Sequence, residues 1–210
     1  PSWIKYHLKP RAYYGHKGIY GKILHLTGCD YYRGAALLAS KASVYSGSGV
    51  VCVCSSEKVI DALAIVTPEC TSKLRNSKLE QELFYDRDAI LIGSGLGLNE
   101  QSEQYVIDTL QYANCPIVID ADGLTIAAKH LDLLKECPVP IILTPHFGEF
   151  KRLCAYDDEL DMIDKVGGFA RKYGVTVVLK GPNTLITDGR ETYRNICLLY
   201  TSDAADEARS

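Results

Sequence analysis

Residues Ala89–Gly97 read AILIGSGLG, four apolar residues followed by glycine at positions 93, 95 and 97. The run is of strand length, lacks polar alternation and stops at residues that tolerate positive φ, the pattern of a buried strand opening into a loop. The same pattern recurs outward from it. Lys22–Thr27 leads into Gly28, Ile117–Asp120 into Ala121-Asp122-Gly123, and Ile141–Thr144 into Pro145-His146-Phe147-Gly148-Glu149-Phe150. Thr176–Lys180 ends at Gly181-Pro182-Asn183-Thr184, while Val50–Cys54 and Thr184–Thr187 complete the predicted strands. Between them lie helical segments: the small-residue stretch Gly34–Tyr45, and Ser102–Ala113 with Val106, Leu110 and Ala113 on one face. Leu160, Ile163, Val166 and Ala170 mark a third. Strand–helix alternation of this kind predicts one α/β domain, a mostly parallel central sheet with helices on both faces.

The composition narrows the function. Hydrophobic residues make up 47% and charged residues 23% of the 210 residues, the balance of a folded soluble protein. Lys+Arg 23 against Asp+Glu 26 gives a net charge of −3, which speaks against a nucleic-acid partner. The sequence has no apolar run of membrane-spanning length, and the opening PSWIKYHLKPR lacks the apolar core of a signal peptide. Eight cysteines never fall as C-x-x-C; Cys52, Cys54, Cys115 and Cys154 read as small core residues of a reducing compartment rather than zinc ligands. The expectation is a cytoplasmic protein without a membrane partner.

In parallel α/β folds ligands bind beyond the carboxyl ends of the strands, and five predicted strand ends carry glycine or ionisable groups. Gly93-x-Gly95-x-Gly97 would let backbone approach a phosphate or sugar, or is a plain tight turn. It is neither a full G-x-G-x-x-G nor a P-loop, since Asn99-Glu100 follows and no G-K-[ST] does. His146 has a side chain able to donate to a phosphate or hydroxyl, or to cap the helix after it. Lys180 and Gly181 suit nucleotide phosphates, or form a solvated turn. Asp120 and Asp122 fit a metal, a hydroxyl or ordinary turn chemistry. His16-Lys17-Gly18 and Glu69 read by default as surface loop, and the sequence shows neither H-E-x-x-H nor a Ser-His-Asp order.

Taken in order, these segments resemble the ADP- or ATP-dependent NAD(P)H-hydrate dehydratase family, whose fold is ribokinase-like. The matching pieces are H-K-G-x-Y-G at His16–Gly21, G-A-A at Gly34–Ala36, S-G-S-G-V-V at Ser46–Val51 and T-P-E at Thr67–Glu69. They continue with I-G-S-G-L-G at Ile92–Gly97, D-A-D-G-L at Asp120–Leu124, T-P-H-x-G-E-F at Thr144–Phe150 and K-G-P-N-T at Lys180–Thr184. The resemblance implies an ADP-dependent (S)-NAD(P)H-hydrate dehydratase, a lyase repairing hydrated NADH and NADPH. It would phosphorylate the hydrate hydroxyl with ADP (or ATP) and Mg²⁺, then release phosphate. By the same resemblance Ala36, Gly95, Gly97 and His146 would contact the hydrated dinucleotide, and Lys180, Gly181, Pro182, Asn183 and Thr184 the adenine nucleotide. No resident metal site is implied, and the intact parent is expected to be a homo-oligomer. Ser94 stands where the family commonly has proline, a change expected to matter little. Two other readings stay open: a different ribokinase-like kinase of a vitamin alcohol, and a nucleotide-binding relic without turnover.

One departure concerns catalysis. The family carries a glycine-rich G-T-G-D segment whose Asp is the base, and no such segment occurs in the 210 residues. Asp203 and Asp206 have no flanking glycines and are not assigned that role. Instead Cys197–Glu207 reads CLLYTSDAADE, which matches the one-frame translation of an adapter used in sequencing libraries. The expected organisation is therefore a dehydratase domain over 1–195, incomplete at its C-terminus, and a tail of adapter origin over 196–210. Pro1 opens the chain in place of Met, as in a piece of a longer or processed protein. The catalytic base is expected to lie outside this sequence, leaving the chain inactive as it stands.

Overall fold

Among the described residues nine strands follow in chain order: β1 (Lys22–Leu26), β2 (Val50–Ser55), β3 (Thr71–Leu74), β4 (Ala89–Ile92), β5 (Ile117–Ile119), β6 (Ile141–Leu143), β7 (Thr176–Leu179), β8 (Thr184–Thr187) and β9 (Thr192–Asn195). They form one sheet in the computed structural model, which describes residues 11–154 and 161–195. The spatial order is β3-β2-β1-β4-β5-β6-β7-β8-β9. The first seven positions pair in parallel, and β8 and β9 add antiparallel. Each predicted strand is present, within a residue or two at its ends. The two edge strands β3 and β9 were not predicted. All eight of their residues are exposed, so neither carries a buried apolar face to read.

Among the described residues seven α-helices connect the strands: α1 (Arg33–Tyr45), α2 (Glu57–Val66), α3 (Glu100–Tyr112), α4 (Asp122–Ala127), α5 (Leu131–Glu136), α6 (Phe147–Leu153) and α7 (Met162–Tyr173). Leu160 of the third predicted helix lies outside the described residues; α7 starts after Asp161, whose carboxylate caps it by accepting from the Ile163 N–H at 3.3 Å. Helix α1 packs on α2, whereas α3, α4 and α5 pack together and α7 joins through α5. Right-handed crossovers explain the division, because β1–α1–β2 runs toward one sheet edge and β4–α3–β5 toward the other.

Burial follows that layering. In β4 to β8, Ile90, Ile92, Ile117, Ile119, Ile141, Leu143, Val177, Leu179 and Leu185 are buried in the main core with Phe84, Tyr105 and Phe150. Their neighbours Leu91, Val118, Ile142, Val178 and Ile186 point to the other face and are only half-buried. Cys52, Cys54 and Cys115 are buried free thiols and Cys154 is half-buried; burial pushes the Cys54 thiol up to about 11. No helix of the described residues is long and apolar enough to cross a membrane. The tail assigned to 196–210 lies outside the described residues.

Candidate active site

Parallel pairing brings the carboxyl ends of β1, β4, β5, β6 and β7 to one edge, and most of the residues singled out from sequence meet there. The glycine loop is wedged between two neighbours. Gly93 has φ +116°, and a Cβ there would stand 2.0 Å from the Asp120 carbonyl oxygen. Gly95 has φ +64°, and a Cβ there would stand 2.8 Å from the Cβ atoms of both Ala35 and Tyr32. No larger residue fits either place, so the loop lies flat between the β5 turn and the start of α1. The Gly97 N–H donates to Asp122 Oδ2 at 2.8 Å, which ties the far end of the loop to the same turn.

Asp120 is the hub of the edge. Its Oδ1 accepts from Lys180 Nζ at 3.0 Å and from Thr144 Oγ1 at 2.8 Å, and its Oδ2 accepts from Ser94 Oγ at 3.0 Å. Burial alone would raise this carboxyl, but the Lys180 ammonium and the three hydrogen bonds outweigh it and hold it below the usual carboxylate range. A carboxylate so held is a poor proton acceptor. Thr144 and Ser94 thus have roles that the sequence reading missed. Ser94, expected to matter little, donates the hydrogen bond that a proline there could not.

Lys180 reaches this hub because its backbone N–H donates to the Pro145 carbonyl at 2.8 Å and Lys180 forms a parallel bridge with His146. The K-G-P-N-T and T-P-H-x-G-E-F segments are therefore neighbours. His146 caps α6: its Nδ1 accepts from the N–H groups of Gly148 at 2.9 Å and Glu149 at 3.4 Å, while Glu149 Oε2 accepts from the His146 N–H at 2.8 Å. Capping and ligand binding, alternatives on the sequence, are compatible here. With Nδ1 accepting, a neutral ring carries its proton on Nε2, which lies 3.5 Å from Glu149 Oε1, and the side chain is 41% exposed. Gly181 is half-buried, Pro182 and Asn183 are exposed, and Thr184 Oγ1 donates to the Gly181 carbonyl at 3.3 Å, closing the turn.

Ala36 does not join this surface. It is fully buried, and the Cβ that Gly28 lacks would meet the Ala36 Cβ at 2.7 Å, so its place is under the β1 loop. His16, Lys17 and Glu69 stand beside the amino ends of β1 to β3, at the opposite sheet edge. Gly49, just before β2, lies so close to the Lys17 carbonyl oxygen that a Cβ would overlap it. The described residues contain no group of three His, Cys, Asp or Glu able to hold a metal ion.

Against this geometry the comparisons decide the family. A family model described as NAD(P)H-hydrate dehydratase matches residues 23–198. The chain belongs to that family. It is 36% identical over 200 residues to the ADP-dependent (S)-NAD(P)H-hydrate dehydratase of Bacillus subtilis, covering 89% of this chain and 68% of that protein. It is 34% identical over 199 residues to the bifunctional NAD(P)H-hydrate repair enzyme Nnr of Thermofilum pendens, covering 87% of this chain and 38% of that one. The crystal structure of the ADP/ATP-dependent NAD(P)H-hydrate dehydratase from Bacillus subtilis, co-crystallised with ATP/Mg²⁺, superposes with a TM-score of 0.79 at 32% identity. That match covers 93% of this chain and 70% of that one. The shared architecture is the ribokinase-like fold.

Proposed function

We propose that this chain carries the substrate and nucleotide sites of an ADP-dependent (S)-NAD(P)H-hydrate dehydratase. The observation that supports it is the meeting of Lys180, His146 and the Gly93–Gly97 loop around Asp120 at one sheet edge. In the reaction the hydrate hydroxyl attacks the terminal phosphoryl group of ADP, and AMP leaves. The ester C–O bond then breaks, phosphate departs with the electron pair, and loss of a ring proton restores the nicotinamide double bond. Lys180 has three N–H donors and uses one on Asp120, so it can turn to a phosphate without leaving its anchor. Gly181 offers backbone beside it, and Asn183 and Thr184 shape the turn. His146, its Nε2 3.5 Å from Glu149 Oε1 and its side chain 41% exposed, can share that N–H with a hydroxyl or phosphoryl oxygen, and Gly95 and Gly97 let the substrate lie against the loop.

Neither aspartate of the β5 turn fits the role of base. Asp120 has both oxygens engaged and a lowered pKa, and Asp122 holds Gly97. We therefore assign the base to a G-T-G-D segment, which is not in this sequence, and keep 1–195 as the dehydratase domain. Mg²⁺ would arrive on the nucleotide phosphates rather than on a ready-made ligand set, so no step is derived through it. Leu38, Tyr45 and Ile65, large and exposed on α1 and α2, fit the proposal of a homo-oligomer.

Joining residues 1–195 to a G-T-G-D-containing C-terminal segment from a full-length relative tests this reading, with NADPH recovery from its hydrate as the signal. The joined protein should turn over with ADP and Mg²⁺, and changing its G-T-G-D Asp to Asn should cost about 100-fold or more. The 210-residue chain should stay at background. Turnover by that chain alone would place the base within these residues, with Asp122 the first to examine. A folded, inert graft would overturn the assignment.

A further inference from the structure

A single run of polar contacts joins five neighbouring strand ends, in the sheet order β1-β4-β5-β6-β7. The Gly28 N–H, just after β1, donates to the Ser94 carbonyl in the β4 loop at 2.9 Å. The Ser94 hydroxyl then donates to Asp120 Oδ2, after β5, at 3.0 Å. Asp120 Oδ1 accepts from Thr144 Oγ1, after β6, at 2.8 Å and from Lys180 Nζ, after β7, at 3.0 Å. Ser94 is where the run passes from backbone to side chain. It stands between Gly93 and Gly95, both at positive φ, whose close neighbours fix the loop around it.

A carboxylate pinned at both oxygens constrains a lysine in a way that a free one does not. An aspartate held at one oxygen still turns about its Cβ–Cγ bond, a broad torsion. With Oδ2 held by Ser94 and Oδ1 by Thr144, the plane of the carboxylate is located as well. Thr144 Oγ1 also lies 3.4 Å from the Ile119 carbonyl and can turn its proton there, which leaves Ser94 as the surer anchor. Lys180 has a long flexible stem and its side chain is 38% exposed. An ammonium there without a fixed partner samples many positions, and a phosphate that binds it must first order it. Held by Asp120 through one N–H, it keeps its other N–H groups for a ligand. Ser94 need not touch that ligand, because its effect passes through Asp120.

Resting on the nucleotide site proposed at Lys180, we infer that Ser94 is a positioning residue: through Asp120 it holds the Lys180 ammonium where a phosphate of ADP docks. Thr144 supports the same carboxylate from its other oxygen. A hydrogen bond that merely steadied the glycine loop would act on whatever the loop touches and would be indifferent to Lys180. A strut that works by ordering Lys180 loses its effect on ADP once the ammonium is gone, because two residues acting through one contact are not additive.

Titrating the full 210-residue chain with ADP by NMR, with the Lys180 ammonium resonance as a second readout, separates the two roles. Ser94→Ala should weaken ADP by about threefold to tenfold and broaden the ammonium signal. Ser94→Thr, which keeps the hydroxyl, should return both to near the parent. Lys180→Ala should weaken ADP about tenfold, and adding Ser94→Ala to it should cost nothing further. Urea unfolding identifies a variant that has lost its fold; Thr144→Val then carries the same test, weakening ADP in the parent but not in Lys180→Ala. Equal weakening by Ser94→Ala with and without Lys180 would make the bond a loop pin and overturn the inference. Unchanged ADP binding in Ser94→Ala would overturn it too, as would tighter binding, which would mean that Asp120 competes with phosphate for the ammonium. Each of these leaves the nucleotide site at Lys180 standing. ADP binding that Lys180→Ala does not weaken, or none by the parent chain, would instead count against that site and take the role of Ser94 with it.

Discussion

Ala121 sits between the two aspartates of the β5 turn with φ 49° and ψ −117°, a conformation that side chains rarely adopt. Holding a non-glycine residue there costs on the order of 1–3 kcal/mol. That turn aims Asp120 at Lys180 and Asp122 at Gly97, so the strain is stored where the candidate site is assembled. Ala121→Gly should relieve it and, after glycine's extra unfolded-state entropy, leave the protein unchanged or stabilised by up to about 1 kcal/mol. Ala121→Val should cost about 2 kcal/mol or more; urea unfolding measures both. His25 gives a second prediction. It is fully buried on β1, its Nε2 is 3.1 Å from Ser43 Oγ, and burial lowers its pKa from 6.5 to about 4. The folded ring resists a proton that the unfolded chain accepts, so nothing is lost above pH 6.5 and stability falls as pH drops toward 4. The loss is about 2 kcal/mol at pH 5 and about 3 kcal/mol near pH 4. The Asp120 contribution runs the other way in cause and disappears only below the ordinary carboxylate range, because its folded pKa is depressed. Unfolding at pH 7, 5.5 and 4.5 should therefore show a slope that His25→Gln flattens.

Strands and helices differ in how much of themselves they show in sequence. β1, β2 and β4 to β8 bury at least one apolar face, and β-branched runs such as Ile117–Ile119 reveal that directly. β3 reads TSKL and β9 TYRN, exposed edge strands held by backbone pairing and threonine hydroxyls, which leaves no apolar pattern. The site was legible as a set of strand ends, since glycines and charges stood out against apolar runs. The Asp120 hub was not, because its three partners come from three different strand ends up to 60 residues away in sequence. Only register brings them together. The same register sets a test of layering. Ile141 is 2% exposed and faces the main core, while its neighbour Ile142 is half-buried on the other face of β6. Ile141→Ala should cost about 3 kcal/mol or more, as filled-core truncations do, and Ile142→Ala about 1 kcal/mol. Equal costs in chemical denaturation would mean that both faces are covered equally in solution.

On the proposed reading one sheet edge serves two ligands, and that arrangement has a thermodynamic signature. A ligand that binds only the folded state stabilises it by RT ln(1 + [L]/Kd). Without the G-T-G-D backbone donors, ADP affinity is expected near 1 mM, so 10 mM ADP should add about 1.4 kcal/mol. For a chain of this size that is roughly 3–5 °C in Tm. Lys180→Ala, by raising Kd about tenfold, should cut the shift to about 1 °C. ADP-ribose, standing for the dinucleotide, should produce a shift of its own. If the edge holds ADP and the dinucleotide side by side, saturating one leaves the other's binding energy intact. The two stabilisations then add when both ligands are present. Ligands competing for one place would instead give no more than the larger shift alone. Melting the chain with ADP, with ADP-ribose and with both therefore measures whether the edge holds two ligands at once. A reaction that moves a phosphoryl group from a nucleotide to a dinucleotide needs it to hold both, because donor and acceptor must be positioned together before transfer.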